Sequence, residues 1–210
     1  MNTSPNGNKN HPWLNLRADF AEIRISIVTY LRHPVREIRR LPDWPWRRIL
    51  LAQILLTMVT GAVSGLVHHS VLSILAGLIQ TPILTLITTS VTTLFFFYVF
   101  QVFQNQFVSF RELYLSIFFA NIPFFVFQVI SDYFPPILLI GLGFSALLLI
   151  VTFVANFKIS RAFASRLIGG VYAILVVLHL LAWVNNEHWT QKWKHSGPRG
   201  ESAPAVELGK

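Results

Sequence analysis

The chain has 210 residues, 53% of them hydrophobic and only 12% charged, and carries a net charge of +8 with mean hydropathy +0.55. A soluble domain is about 25% charged, so this chain cannot cover a water-facing surface of its size, which excludes an ordinary cytosolic enzyme and a disordered protein. It has no cysteine, which excludes disulfides, thiolate catalysis, iron–sulfur clusters, Cys-based zinc sites and palmitoylation.

The charges are unevenly placed. Residues 1–48 carry nine basic and four acidic side chains, residues 49–184 only Arg111, Lys158, Arg161, Arg166, Glu112 and Asp132, and residues 185–210 four basic and three acidic. A basic balance can mark a nucleic-acid binder. Here no soluble domain gathers the basic residues into a patch, so lipid, not nucleic acid, is the expected partner.

Residues 1–12 are polar and read as a disordered tail. The first 48 residues contain no early apolar core of a secretory signal, and Asn2 stands where myristoylation needs Gly. Between 13 and 33, Leu16, Phe20, Ile23, Ile27 and Leu31 recur at helical spacing, with Arg17, Asp19, Glu22 and Arg24 largely off that stripe. Pro34 should kink or end the helix. The following stretch brings Arg36, Arg39, Arg40, Arg47 and Arg48 together with Trp44 and Trp46. A basic amphipathic segment followed by a Trp/Arg cluster is a membrane-surface signature. These seven residues are the expected contacts with anionic headgroups. The competing reading is a helix docked on the protein's own bundle.

Five apolar stretches follow, at 49–67, 83–104, 113–131, 136–156 and 167–184, none with Asp, Glu, Lys or Arg. Each has the length of a spanning helix. Residues 71–80 are apolar but only ten long and precede Pro82, so a break at Pro82, with 71–80 interfacial or re-entrant, is preferred over an unbroken helix from Val71, which would need strong tilt or a kink. The short loops place Arg111, Lys158, Arg161 and Arg166 on the side of the basic N-terminus and no Lys or Arg on the other. The positive-inside rule then makes the N-terminus cytoplasmic and, after five spans, the C-terminus external. Residues 185–210 read as a polar tail. The fold class is therefore all-α: a polytopic membrane bundle of five transmembrane helices with an amphipathic N-terminal helix.

Within the spans, Gly61 and Gly65 form a GxxxG, which lets two backbones approach, either within one chain or between copies in a homo-oligomer. Asn121 and Pro123 should kink the third span by freeing a carbonyl. Thr81, Thr85, Thr88 and Thr92 lie at helical spacing, as do Thr89 and Thr93. They suit packing with back-bonding to carbonyls and, as an alternative, the lining of a small-solute transporter or channel. His179 is the only Asp, Glu, His, Lys or Arg in the five stretches, which argues against proton-coupled transport. Ser64 with His179 is a faint intramembrane-hydrolase pattern and reads better as packing. His68, His69, Asp132, His188 and His195 share one expected side without metal-ligand spacing. No catalytic residue, metal ligand or cofactor is expected.

Three motifs carry a resemblance. A Pro-containing basic segment, LRHPVREIRRLP (31–42), precedes the first span. The third span holds FANIP (119–123), and FKISRAFASR (157–166) joins the last two. With the five-span layout, residues 31–184 resemble the Yip family of membrane proteins, named for interaction with Ypt/Rab GTPases. The eukaryotic Asp-Leu-Tyr-Gly-Pro element is absent, so the likeness is to the bacterial members. The resemblance implies a non-enzymatic protein of the bacterial inner membrane that organises membrane or binds partner membrane proteins.

Overall fold

The computed structural model describes residues 12–67, 71–131 and 136–196, with side chains placed for 16–66, 71–131 and 136–182. Every regular element among them is helical: α1 (Pro12–Arg32), α2 (Pro34–Glu37), α3 (Trp46–Val67), α4 (Val71–Gln104), α5 (Phe110–Ala120), α6 (Ile122–Ser131), α7 (Ile137–Asn156) and α8 (Arg161–Ser196). Five stretches are long and apolar enough to cross a membrane: Trp46–Leu66, Val71–Gln104, Phe110–Ser131, Ile137–Asn156 and Arg161–Ala182. The all-α, polytopic membrane class holds. The chain divides into two compact units, 1–169 and 170–210.

In the first unit the third span is central. Residues 113–120 of α5 are buried without interruption, and their helical spacing sorts them into two cores. Tyr114, Leu115, Phe118 and Phe119 meet Ile23, Tyr30, Ile38, Trp44 and Ile49. Leu113 and Ile117 meet Phe96, Phe100, Phe153, Ile159 and Ala164. Lipid tails supply no hydrophobic drive between helices, so shape and polar bonds must hold the spans together. Aromatic rings do much of this, as where Phe153 sits edge-on to Phe96 at 5.0 Å and to Phe100 at 4.8 Å between ring centres. A buried polar chain does the rest. The Tyr114 hydroxyl donates to Gln53 Oε1 at 2.6 Å, and Gln53 Nε2 donates to Thr89 Oγ1 at 3.1 Å. It ties α5, α3 and α4.

The expected break at Pro82 is not there. Helix α4 runs 34 residues with Pro82 buried inside it, a length of about 51 Å against a hydrocarbon core of about 30 Å. Proline removes one amide bond, leaving the Leu78 carbonyl without its helical donor. Ending one helix and starting another would orphan about eight backbone groups in lipid. The unbroken helix is the cheaper choice, and residues 73–81 have a partner in α3. A β carbon on Gly61 would collide with the Gly77 carbonyl oxygen and lie 2.7 Å from Thr81 Oγ1, and one on Gly65 would lie 2.6 Å from Ile74 Cα. The GxxxG is thus occupied by α4 of the same chain.

The third span does break. Helix α5 ends at Ala120, and the Asn121 amide shares the carbonyls of Ile117 (3.0 Å) and Phe118 (3.2 Å). Helix α6 restarts at Ile122, with Pro123 in its first turn, where no amide is needed. On the C-terminal side, helix α8 continues to Ser196, so the first part of the polar tail, 185 to 196, is helical. No Gly or Pro occurs between 171 and 196 to stop it.

Candidate membrane-surface site

The N-terminal segment docks where α3 begins. Helix α1 ends at Arg32, before Pro34 as expected, and presents Ile23, Ile27 and Tyr30 to the core around Phe119. Phe20 and Leu31, which belong to the same sequence stripe, stay exposed. The docked edge is flanked by acids. Asp19 accepts from Arg48 Nε (3.0 Å) and Nη2 (2.8 Å) and from Arg47 Nη2 (3.1 Å). Glu22 Oε1 accepts from Arg48 Nη1 at 2.6 Å and from the Trp44 indole at 3.2 Å. One carboxylate thus receives both a guanidinium and an indole.

This geometry redistributes the seven expected lipid contacts. Trp44 is not at the lipid surface: it is 1% exposed and tilted against Phe119 at 5.5 Å. Its six-position neighbourhood of Pro and Arg disguises a core residue, because the linker 38–45 folds back beneath α1. Trp46 is 40% exposed, edges onto Tyr114 and is tilted against Phe110. Arg47 and Arg48 are held by α1, and Arg36 by the adjacent Glu37 at 2.9 Å. Arg39 and Arg40 are exposed and form no ion pair among the described residues.

The outward face of α1 is the part that the sequence pattern hides. Helical spacing sets Arg17, Arg24 and Arg32 among Ile25, Val28 and Leu31, all exposed, Ile25 at 61%. The three arginines make no ion pair among the described residues, since both acids of α1 are turned toward Arg47 and Arg48. The face is therefore apolar with a positive lattice. The signal for it was the pair Asp19/Glu22, one turn apart and opposite to these cations.

Arg48 and Asp19 are both largely buried, with side chains 20% and 13% exposed. Bonds of this kind keep more strength than surface pairs. A double-mutant cycle of Asp19→Ala and Arg48→Ala, read by thermal unfolding in detergent, should return a coupling of about 1–2 kcal/mol.

Tyr30 adds a pH dependence. Its hydroxyl is buried without a hydrogen-bond partner, and burial pushes its pKa well above the usual 10.0. A raised folded value means that its contribution is complete below pH 10 and is lost as pH rises beyond that. Tyr30→Phe should remove this alkaline loss, and the missing polar burial should raise stability by about 1 kcal/mol.

A cavity of about 270 Å³ lies at the same end of the unit, between the linker (Arg39–Trp44), the start of α5 (Arg111, Glu112) and the end of α7 (Asn156, Phe157). Asn156 Nδ2 donates to the Ile38 carbonyl at 2.9 Å and fixes the linker over it. Arg111 Nη2 donates to Asp43 at 2.5 Å across it.

Several intramembrane hydroxyls donate to backbone carbonyls of their own helices. Thr93 donates to the Thr89 carbonyl and Thr57 to the Gln53 carbonyl. Ser64 and His179 are half-exposed helix residues. His68, His69 and Asp132 lie outside the described residues, as do the side chains of His188 and His195. Compared with protein-family models, curated proteins and solved structures, the chain matches none.

Proposed function

We propose that the protein is a non-enzymatic integral membrane scaffold that holds a basic helix flat on anionic lipid. The observation that carries this reading is the outward face of α1. Its acids are turned inward to Arg47 and Arg48, so Arg17, Arg24 and Arg32 stand among exposed Ile25, Val28 and Leu31. Each such cation near an anionic surface contributes about 1 kcal/mol. The five spans fix the helix at the membrane, so the face does not need to supply the anchoring and can select lipid instead. The charge asymmetry of the loops supports the cytoplasmic leaflet, and the Yip resemblance suggests a bacterial inner membrane and a role in membrane organisation or partner binding.

The test is the lipid that travels with the protein. Extracted with its annulus by a polymer from membranes containing phosphatidylglycerol and phosphatidylethanolamine, the chain should be enriched in phosphatidylglycerol. Changing Arg17, Arg24 and Arg32 together to Gln should return the ratio toward that of the bulk membrane. An unchanged ratio contradicts the proposal. A solute-flux assay in reconstituted vesicles addresses the carrier alternative, since a scaffold releases nothing.

A further inference from the structure

The cavity beneath the linker is a different feature from the outward face of α1. Three arginines and two acids line it: Arg39, Arg40 and Asp43 from the linker, and Arg111 and Glu112 from α5. Of the three arginines, only Arg111 has an ion-pair partner among the described residues. That partner, Asp43, comes from the linker itself, and its side chain is 84% exposed. An exposed carboxylate bonded to a half-buried guanidinium is a weak pair. It shows, however, that Arg111 is oriented to receive an oxyanion. Asp43 can swing into solvent at little cost, so it occupies the place of a better anion without being able to keep it.

The shape is consistent with a small ligand. The volume lies just under the roughly 300–1,000 Å³ of pockets for drug-sized molecules. Leu115 and Phe157 give it an apolar wall, and the buried Trp44 closes one side. The cavity is lined by Arg111 and Glu112 in the first turn of α5 and by Asn156 at the end of α7. These are the ends of two spanning helices, where lipid headgroups lie. Guanidinium forks match phosphate oxygens two at a time, and basic pockets between spans at this depth take phospholipid heads.

We infer that this cavity binds a phosphate group of net negative charge, held by Arg39, Arg40 and Arg111, and that Asp43 is the internal carboxylate which the phosphate displaces from Arg111. The anion would tie the linker to α5. The source can be a phospholipid headgroup or free phosphate.

Native mass spectrometry of the full chain in neutral detergent tests it, with dioleoyl phosphatidylglycerol, dioleoyl phosphatidylcholine and inorganic phosphate as probes. One phosphatidylglycerol should be retained about tenfold more tightly than phosphatidylcholine, a discrimination near 1.4 kcal/mol. Arg39→Gln with Arg40→Gln and Arg111→Gln should abolish that preference. Asp43→Asn, an exposed change that leaves the fold intact, should strengthen it several-fold. Displacement by inorganic phosphate assigns the site to the free anion, and retention in its presence assigns it to the lipid. The Gln variant at Arg17, Arg24 and Arg32 should leave this single tight site unaltered, so failure here is distinct from failure of the scaffold reading. No preferential binding of phosphatidylglycerol or phosphate by the wild type overturns the inference, as does weaker binding by Asp43→Asn.

Discussion

Gly61→Ala should destabilise the protein by about 3 kcal/mol, the upper end of the usual range for overpacking. The added carbon meets the Gly77 carbonyl oxygen and lies 2.8 Å from the carbonyl carbon. Both are backbone atoms of a helix, which cannot turn aside as a flexible side chain would. The only relief is to separate α3 from α4 along their crossing. Separation would also strain the bond from Gln53 to Thr89 farther along the same pair of helices. Gly77→Ala should act alike, because its own added carbon meets the Gly61 carbonyl oxygen. Gly169→Ala is the control, with nothing within 4 Å of the new atom. There the better helix propensity of alanine should leave stability unchanged or raise it by up to about 1 kcal/mol. Thermal unfolding in detergent measures all three. Equal losses at Gly61 and Gly169 would show that the close crossing is not what holds the hairpin.

Trp44→Ala should cost about 3–5 kcal/mol, as expected for deleting a fully buried large ring. Trp44 is in the core with Tyr30, Ile38, Ile49 and Phe119, and its indole also donates to Glu22. Losing it opens a void beneath α1 and frees one acceptor of the carboxylate that holds Arg48. The docked α1 should therefore detach before the spans unfold. Trp46→Ala, at an exposed position two residues on, should cost about 1 kcal/mol or less, since only part of its area is covered. Limited trypsin digestion in detergent separates the two outcomes. Faster cleavage after Arg24 and Arg32 is expected for Trp44→Ala and not for Trp46→Ala. Identical digestion patterns would place Trp44 at the surface after all.

The contrast between these tryptophans shows how far the sequence can be read. Both stand in one Arg- and Pro-rich stretch, and composition alone assigns them the same place. Only the fold of the linker, fixed by Asn156 at the far end of α7, sends one inward. The spans themselves were legible, because apolar length is a local property and each span must satisfy its own backbone. The Gly61 and Gly65 pair signalled a close approach, though not that α4 would supply the other side. Pro82 misled because its local cost is visible in the sequence, while the larger cost of breaking a helix in lipid is not. Gln53 was a single polar residue in an apolar run, and that oddity was the available sign of the buried bond to Tyr114. The acids of α1 were likewise visible, but their partners lie 26 to 29 residues away. Ion pairs across that separation leave no periodic trace.

On the proposed function, α1 has two apolar faces, one docked on the bundle and the other in lipid. Since the chain has no cysteine, single cysteines can be placed along α1 without background labelling. Spin labels at Ile23, Ile25, Val28 and Leu31 in the full chain, reconstituted with phosphatidylglycerol and phosphatidylcholine, report collisions with oxygen and with a water-soluble nickel chelate. The account predicts oxygen access without nickel access at Ile25, Val28 and Leu31, and shielding from both at Ile23. Nickel access at Ile25 and Val28 equal to that of a water-exposed helix would contradict it.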